Sequence, residues 1–139
     1  MFEAALVCLA LNVYHEARDQ PFIGQVAVAQ VVMNRMYDSR YPDTVCEVVE
    51  QGPTYSWAEG FPVRNRCQFS WYCDGKSDKP KNEEAYSQAM LIAHGVYYGT
   101  LFDLIDDATH YHATYVHPEW ASTKTRVAQI GDHIFYRWD

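Results

Sequence analysis

Apolar residues return every three or four positions from Phe2 to Arg18, at Ala5, Leu6, Leu9, Ala10, Val13, Tyr14 and Ala17, which is the period of an amphipathic helix. Gln20-Pro21 ends it, because the residue before a proline is driven out of the helical region. A second segment of the same period runs from about Gly24 to Met36 through Val26, Ala27, Ala29, Gln30, Val31, Met33 and Asn34. Its faces carry little polarity, which predicts a deeply buried helix; its valines also fit a strand, and its length decides for helix. After a Tyr41-Pro42-Asp43 turn, Thr44-Val45-Cys46-Glu47 matches a capping box and predicts a short helix from Val45 to about Glu50.

Between Gly52 and Pro80 the period is lost. Gly52, Pro53, Gly60, Pro62, Gly75 and Pro80 alternate with Tyr55, Trp57, Phe61, Phe69, Trp71 and Tyr72. So many breakers among so many aromatics predict an ordered but irregular region, with a short strand at Gln68 to Tyr72. Ala85, Ala89, Ile92, Ala93 and Val96 then mark a helix from Asn82 to Tyr98, stopped by Gly99. Thr109 to Tyr115 and Ile134 to Trp138 alternate and are rich in β-formers, so they predict a small antiparallel pair. Helices first and a short sheet later read as α+β, mainly helical, with no repeat and no linker. At 139 residues the chain is expected to be one domain, 1–139.

Composition narrows the function. An apolar share of 48% beside 21% charged residues describes a chain that folds. Eighteen acidic against eleven basic residues give a formal net charge of −7, which leaves no supply of cations for gripping phosphate and excludes a nucleic-acid partner. The best apolar stretch, Ala4 to Tyr14, is broken by Asn12 and followed by His15, Glu16 and Arg18. It falls short of the roughly 18–20 residues a membrane span needs, so no membrane insertion is expected. No Lys or Arg precedes Ala4 to Leu11 and no small-residue cleavage site follows it, so this stretch reads as a structural helix and not as a signal peptide.

Candidate chemistry starts at Glu16. It lies near the C-terminal end of an otherwise apolar helix, where desolvation and the negative end of the helix dipole both raise a carboxyl pKa. A carboxyl group kept protonated in this way is suited to general-acid work; the alternative is a surface glutamate paired with Arg18 or His15. His110 and His112 would share one strand face, with His117, His133, Cys67 and Cys73 as further donors, but the spacing matches no zinc signature. No metal and no cofactor are expected. Among the four cysteines, Cys8 reads as a small buried thiol. One disulfide is expected among the other three, joining Cys46 to Cys67 or to Cys73, with all thiols reduced as the alternative.

Several motifs in order carry a resemblance: Tyr14-His15-Glu16-Ala17-Arg18; Gly24 to Ala29 running on to Val31-Val32-Met33-Asn34-Arg35; Tyr41 to Val45; Gln68-Phe69-Ser70-Trp71; Ala108 to Tyr111; and Ile130 to Tyr136. Together they resemble the SleB/CwlJ-type cell-wall hydrolases over nearly the whole chain. The resemblance implies a lysozyme-like α+β fold and cleavage of peptidoglycan glycan strands, with Glu16 as the catalytic acid. It departs from the family at His15, where glycine is more common, and at Asp19-Gln20, where Gly-Glu is common. With no separate binding domain, the chain resembles a bare catalytic module such as a phage lysin. It is expected to act on the wall as a monomer, exported or released to it from a host cytoplasm.

Breaking the β-1,4 bond from N-acetylmuramic acid to N-acetylglucosamine requires a proton on the leaving oxygen as an oxocarbenium-like centre develops. A hydrolase adds a second carboxylate, whereas a lytic transglycosylase lets the sugar's own C6 hydroxyl close a 1,6-anhydro ring. Asp19, Glu59 and Asp74 are available as second acids, yet no motif marks any of them, so transglycosylation is the expectation and muramidase-type hydrolysis the alternative. A zinc amidase or peptidase and a non-catalytic wall-binding module are further alternatives. For sugar binding, Gln68, Phe69, Ser70 and Trp71 offer an aromatic plate beside polar partners, or else core packing. His110 and Tyr111 would form the opposite cleft wall, with Tyr111 orienting a sugar or the Glu16 carboxyl. Asn34 and Arg35 are expected to cap or pair structurally.

Overall fold

In the computed structural model, which describes residues 2–139, α1 spans Phe2–Ala17 and α2 spans Phe22–Tyr37. The buried run of α2 covers Gly24 to Met33 without a break, as a helix apolar on every side must. One side of it, Val26, Ala29, Val32 and Met33, packs on Leu6, Leu9 and Val13 of α1 and on Ile92, Ala93 and Val96 of α4 (Glu83–Tyr97). The other side, Ala27, Val28 and Val31, meets Ile105, Ala108 and Phe135 beneath a sheet. The central helix therefore joins a helical layer to a β layer.

α3 (Val45–Val49) starts at the capping residue Thr44, whose Oγ1 accepts from the Glu47 amide at 3.2 Å. The reciprocal half of the box differs from expectation: the Glu47 carboxylate accepts from the Thr44 hydroxyl at 2.8 Å. In α4, Asn82 Oδ1 accepts from the Ala85 amide at 3.0 Å, and Gly99 just beyond the helix takes φ +70, the left-handed turn that stops it.

The main sheet has strand order β3-β5-β4, with β3 His110–Ala113, β4 Thr125–Ile130 and β5 His133–Arg137, all antiparallel. The expected pair is β3 with β5, in a register that sets Tyr111 opposite Phe135. β4 is an addition: it is a half-exposed edge strand with an irregularity between Arg126 and Ala128, so its sequence alternates weakly. A second addition is the hairpin of β1 (Thr54–Tyr55) and β2 (Ala58–Pro62) inside the region expected to be irregular.

Two expectations fail. Gln68 to Tyr72 is not a strand; Ser70–Cys73 forms a 3₁₀ turn. The segment has no strand to pair with, and the Cys67–Cys73 disulfide closes it into a tight loop. The cysteines also pair otherwise than expected, because Cys8 is bonded to Cys46 and Cys67 to Cys73, with no free cysteine among the described residues. Packing α3 against α1 brings Cys46 to Cys8, a proximity that spacing along the chain does not reveal.

Candidate active site

The end of α1 and the near face of the β3-β5 sheet enclose a cleft of about 380 Å³. Glu16 borders it together with Asp19, Gln20, Ala113, Asp132 and His133. The β4–β5 turn is pinned to the chain just after α1: Gln20 Nε2 donates to Asp132 Oδ2 at 3.1 Å, and the Asp132 amide donates to Gln20 Oε1 at 2.9 Å. Gly131 makes this approach possible, since its φ is +57 and a Cβ there would lie 2.5 Å from Gln20 Oε1. The turn thereby fixes β5, and with it β3, opposite Glu16.

Tyr111 reaches from β3 to the Glu16 carboxyl and donates its hydroxyl hydrogen to Oε1. Its ring packs on Phe135 and His133, at 5.5 and 5.0 Å between centroids. Burial raises the Glu16 pKa above its usual value, while the Tyr111 hydrogen bond and the charges of Arg35 and His15 oppose that rise. Burial and the neighbouring Glu16 keep the Tyr111 phenol well above its usual pKa, so it stays a donor. With Oε1 occupied as an acceptor, the acid proton of Glu16 belongs on Oε2.

Arg35 is buried on the far side of this pair. Its Nε donates to the Thr109 carbonyl at 2.8 Å, and its guanidinium lies 5.1 Å from the Tyr41 ring centroid and 5.3 Å from that of Phe69. Asn34 Nδ2 donates to the Ala108 carbonyl at 2.8 Å. The two side chains thus tie α2 to the start of β3 through backbone carbonyls, a structural role but not the helix cap or ion pair expected, and Arg35 adds a positive charge acting on Glu16.

The other candidates lie elsewhere. Phe69 and Trp71 are in the core, 4% and 8% exposed, where Phe69 faces Arg35 and Trp71 stacks on His15 at 4.6 Å. Trp71 Nε1 also donates to the buried Asn12 Oδ1 at 2.9 Å, so these rings hold the end of α1 from behind instead of forming an open aromatic plate. Gln68 and Ser70 are exposed beside them. His110 faces away from the cleft: on β3, alternate residues take opposite faces, and Tyr111 and Ala113 take the cleft side. His110 packs on Trp120 and Trp138, and burial with nearby Arg35, Lys124 and Arg40 lowers its pKa to about 4.

The donors weighed for zinc are dispersed. His112 uses both ring nitrogens, Nδ1 on the Ala113 carbonyl at 2.7 Å and Nε2 on the Tyr136 hydroxyl at 2.8 Å. Cys67 and Cys73 are consumed in a disulfide, and His133 lies on the cleft side of the sheet. Sequence reasoning did not single out Gln20, Asp132 or His133 for the cleft, although Asp132 and His133 belong to the Ile130 to Tyr136 motif. Of the second acids considered, Asp19 borders the cleft; Glu59 is on the outlying hairpin and Asp74 follows the 3₁₀ turn.

A family model described as cell wall hydrolase matches residues 19–136, starting just after Glu16. A spore cortex-lytic enzyme of Oceanobacillus iheyensis is 31% identical over 132 residues, which cover 91% of this chain and 39% of that protein. Another, from Bacillus cereus, is 30% identical over 128 residues, with 91% and 42% covered. The chain therefore spans about two fifths of the length of these relatives. Among solved structures, the catalytic domain of the germination-specific lytic transglycosylase SleB from Bacillus anthracis matches with a TM-score of 0.67 at 27% identity, covering 96% of this chain and 93% of that one. The catalytic domain of the Bacillus cereus SleB protein gives 0.67 at 26% identity, covering 97% and 91%. With the family model running through both the helical layer and the sheet, the chain belongs to the cell wall hydrolase family.

Proposed function

We propose that residues 1–139 form a single catalytic unit that cleaves peptidoglycan glycan strands between N-acetylmuramic acid and N-acetylglucosamine by lytic transglycosylation. The observation that carries this reading is Glu16, a carboxyl held toward its acid form at the edge of a cleft, with Tyr111 bonded to one oxygen. The structural neighbour from Bacillus anthracis is itself a germination-specific lytic transglycosylase, which supports the same reaction class here.

The Glu16 acid donates its proton to the glycosidic oxygen, and the bond from the muramyl C1 to that oxygen breaks, freeing the 4-hydroxyl of the next sugar. Positive charge develops at C1. The Glu16 carboxylate, stabilised by the Tyr111 hydroxyl and the Arg35 charge, then takes the proton of the muramyl C6 hydroxyl as O6 bonds to C1. The product is a 1,6-anhydro end, Glu16 is again protonated, and no water is consumed. Two disulfides suit work on a wall outside the reducing cytoplasm. No helix among the described residues is long and apolar enough to cross a membrane.

Muropeptide analysis tests this directly. Purified murein treated with the protein should release fragments lighter by one water than ordinary reducing ends, and Glu16→Gln should abolish their release while keeping the fold. Hydrolysis is the second reading, because the carboxylates Asp19 and Asp132 border the same cleft. Reducing ends, lost in Asp19→Asn or Asp132→Asn, would establish it instead.

A further inference from the structure

Acceptors crowd the cleft beside Glu16, and outside His133 its free N–H and O–H groups belong to exposed side chains, Arg18 and Tyr115. Asp19 and Asp132 line it as carboxylates. His15 already gives Nε2–H to the Asp78 carbonyl at 2.8 Å. Arg18 reaches the Tyr14 carbonyl at 3.3 Å with its guanidinium 4.9 Å from the centroid of the Tyr14 ring. The amide of Gln20 is engaged with Asp132 through both its nitrogen and its oxygen.

His133 differs from all of these. It borders the cleft and is only 9% exposed. Among the described residues neither ring nitrogen has a hydrogen-bond partner, and Nδ1 is the one enclosed by protein. With no acceptor for Nδ1, the proton of the neutral ring belongs on Nε2. Burial keeps the imidazole below its usual pKa and hence uncharged at neutral pH. Its ring meets that of Tyr111 edge-on at 5.0 Å, beside the phenol that is bonded to Glu16.

We propose that His133 is a substrate-binding residue whose Nε2–H hydrogen-bonds the acetamido carbonyl of an N-acetylated sugar seated beside Glu16. This deepens, and rests on, the reading of the cleft as a glycan site. Sugar hydroxyls and the acetamido N–H can all donate to Asp19 or Asp132. The acetamido carbonyl can only accept, so its recognition calls for a donor; Arg18 and Tyr115 offer theirs from exposed side chains, whereas His133 offers one largely shielded from water. A buried donor left unpaired by a substrate lacking that carbonyl also discriminates against it.

The test compares native murein glycan strands with chemically N-deacetylated strands, on wild type, His133→Phe and His133→Gln. Steady-state rates are read on these proteins, and calorimetric binding on each in a Glu16→Gln background. Wild type is expected to favour acetylated strands roughly 10-fold, the worth of one good hydrogen bond. His133→Phe keeps the ring packing against Tyr111 but loses that preference, chiefly through KM, whereas His133→Gln keeps a donor at similar reach and retains it. His133→Leu replaces the Phe variant if that one does not fold. A donor-free variant that still prefers acetylated strands, or a Gln variant that loses the preference as fully as Phe, overturns the assignment. The binding arm needs no turnover, so a failure of glycan cleavage itself is recognised separately.

Discussion

Tyr111 on β3 donates its hydroxyl hydrogen to Oε1 of Glu16 at the end of α1, across 95 positions of sequence. This contact joins the two layers of the molecule at the candidate catalytic carboxyl. It stabilises the carboxylate against the burial that disfavours it. Removing the hydroxyl in Tyr111→Phe is therefore expected to lower kcat by roughly 10- to 100-fold, in line with a hydrogen bond to a charged group. The same change lifts the Glu16 pKa further, so the alkaline limb of the pH–rate profile moves to higher pH. A limb that moves down, or an unchanged kcat, would refute this role for Tyr111.

Glu16 also ties stability to pH. Its folded-state pKa is raised above the ordinary carboxyl value of 4.5, so the folded protein binds the proton more tightly than the unfolded chain. Its contribution is thus fully present below pH 4.5 and is lost as pH rises through the folded-state value. Glu16→Gln cannot ionise. Thermal melts should find that variant more stable than wild type at neutral pH, with the gap closing toward pH 4.

Arg35 links α2 to β3 through the Thr109 carbonyl and supports Glu16 by charge. Arg35→Met is expected to cost about 1.5–3 kcal/mol in urea denaturation, the value of a hydrogen bond from a charged donor. It should also raise the Glu16 pKa, moving the alkaline limb of activity upward. Arg35→Lys restores the charge but not the planar packing against Tyr41 and Phe69, so it should recover the pH profile more fully than the stability.

The two disulfides should contribute unequally. Cys8–Cys46 closes a sequence separation of 38 and Cys67–Cys73 one of 6. Loop entropy alone assigns about 4 kcal/mol to the first and about 2 kcal/mol to the second. Paired Cys→Ser variants in urea denaturation should rank in that order; the reverse order would show that native-state packing around Trp71 outweighs loop length.

Local pattern accounts for much of the fold. The helices announced by Leu6, Leu9 and Val13, by Val26 to Met33, and by Ile92 and Ala93 are present because three- and four-residue spacing makes a continuous apolar face whatever it later meets. β3 and β5 were legible for the same kind of reason. β4 was not, since an edge strand with one exposed face and a bulge has little alternation to read. The segment around Trp71 misled because aromatic, β-forming residues fit a strand and a tight, disulfide-closed turn equally well.

At the cleft, the apolar helix around Glu16 made that acid a candidate beside the alternative of a surface pair with Arg18 or His15, and the motif Tyr14 to Arg18 within the family resemblance turned it into the expected acid. The sequence also brought forward Tyr111 as a group able to orient that carboxyl. Which face of β3 looked toward Glu16, and hence that Tyr111 bonds to that carboxyl while His110 packs on the other face against Trp120 and Trp138, was decided only when the sheet docked on α2. The same holds for His133 and for the Cys8–Cys46 bond. Helix and strand periods are local properties of the chain, whereas these proximities join residues far apart in sequence and exist only once the layers have packed.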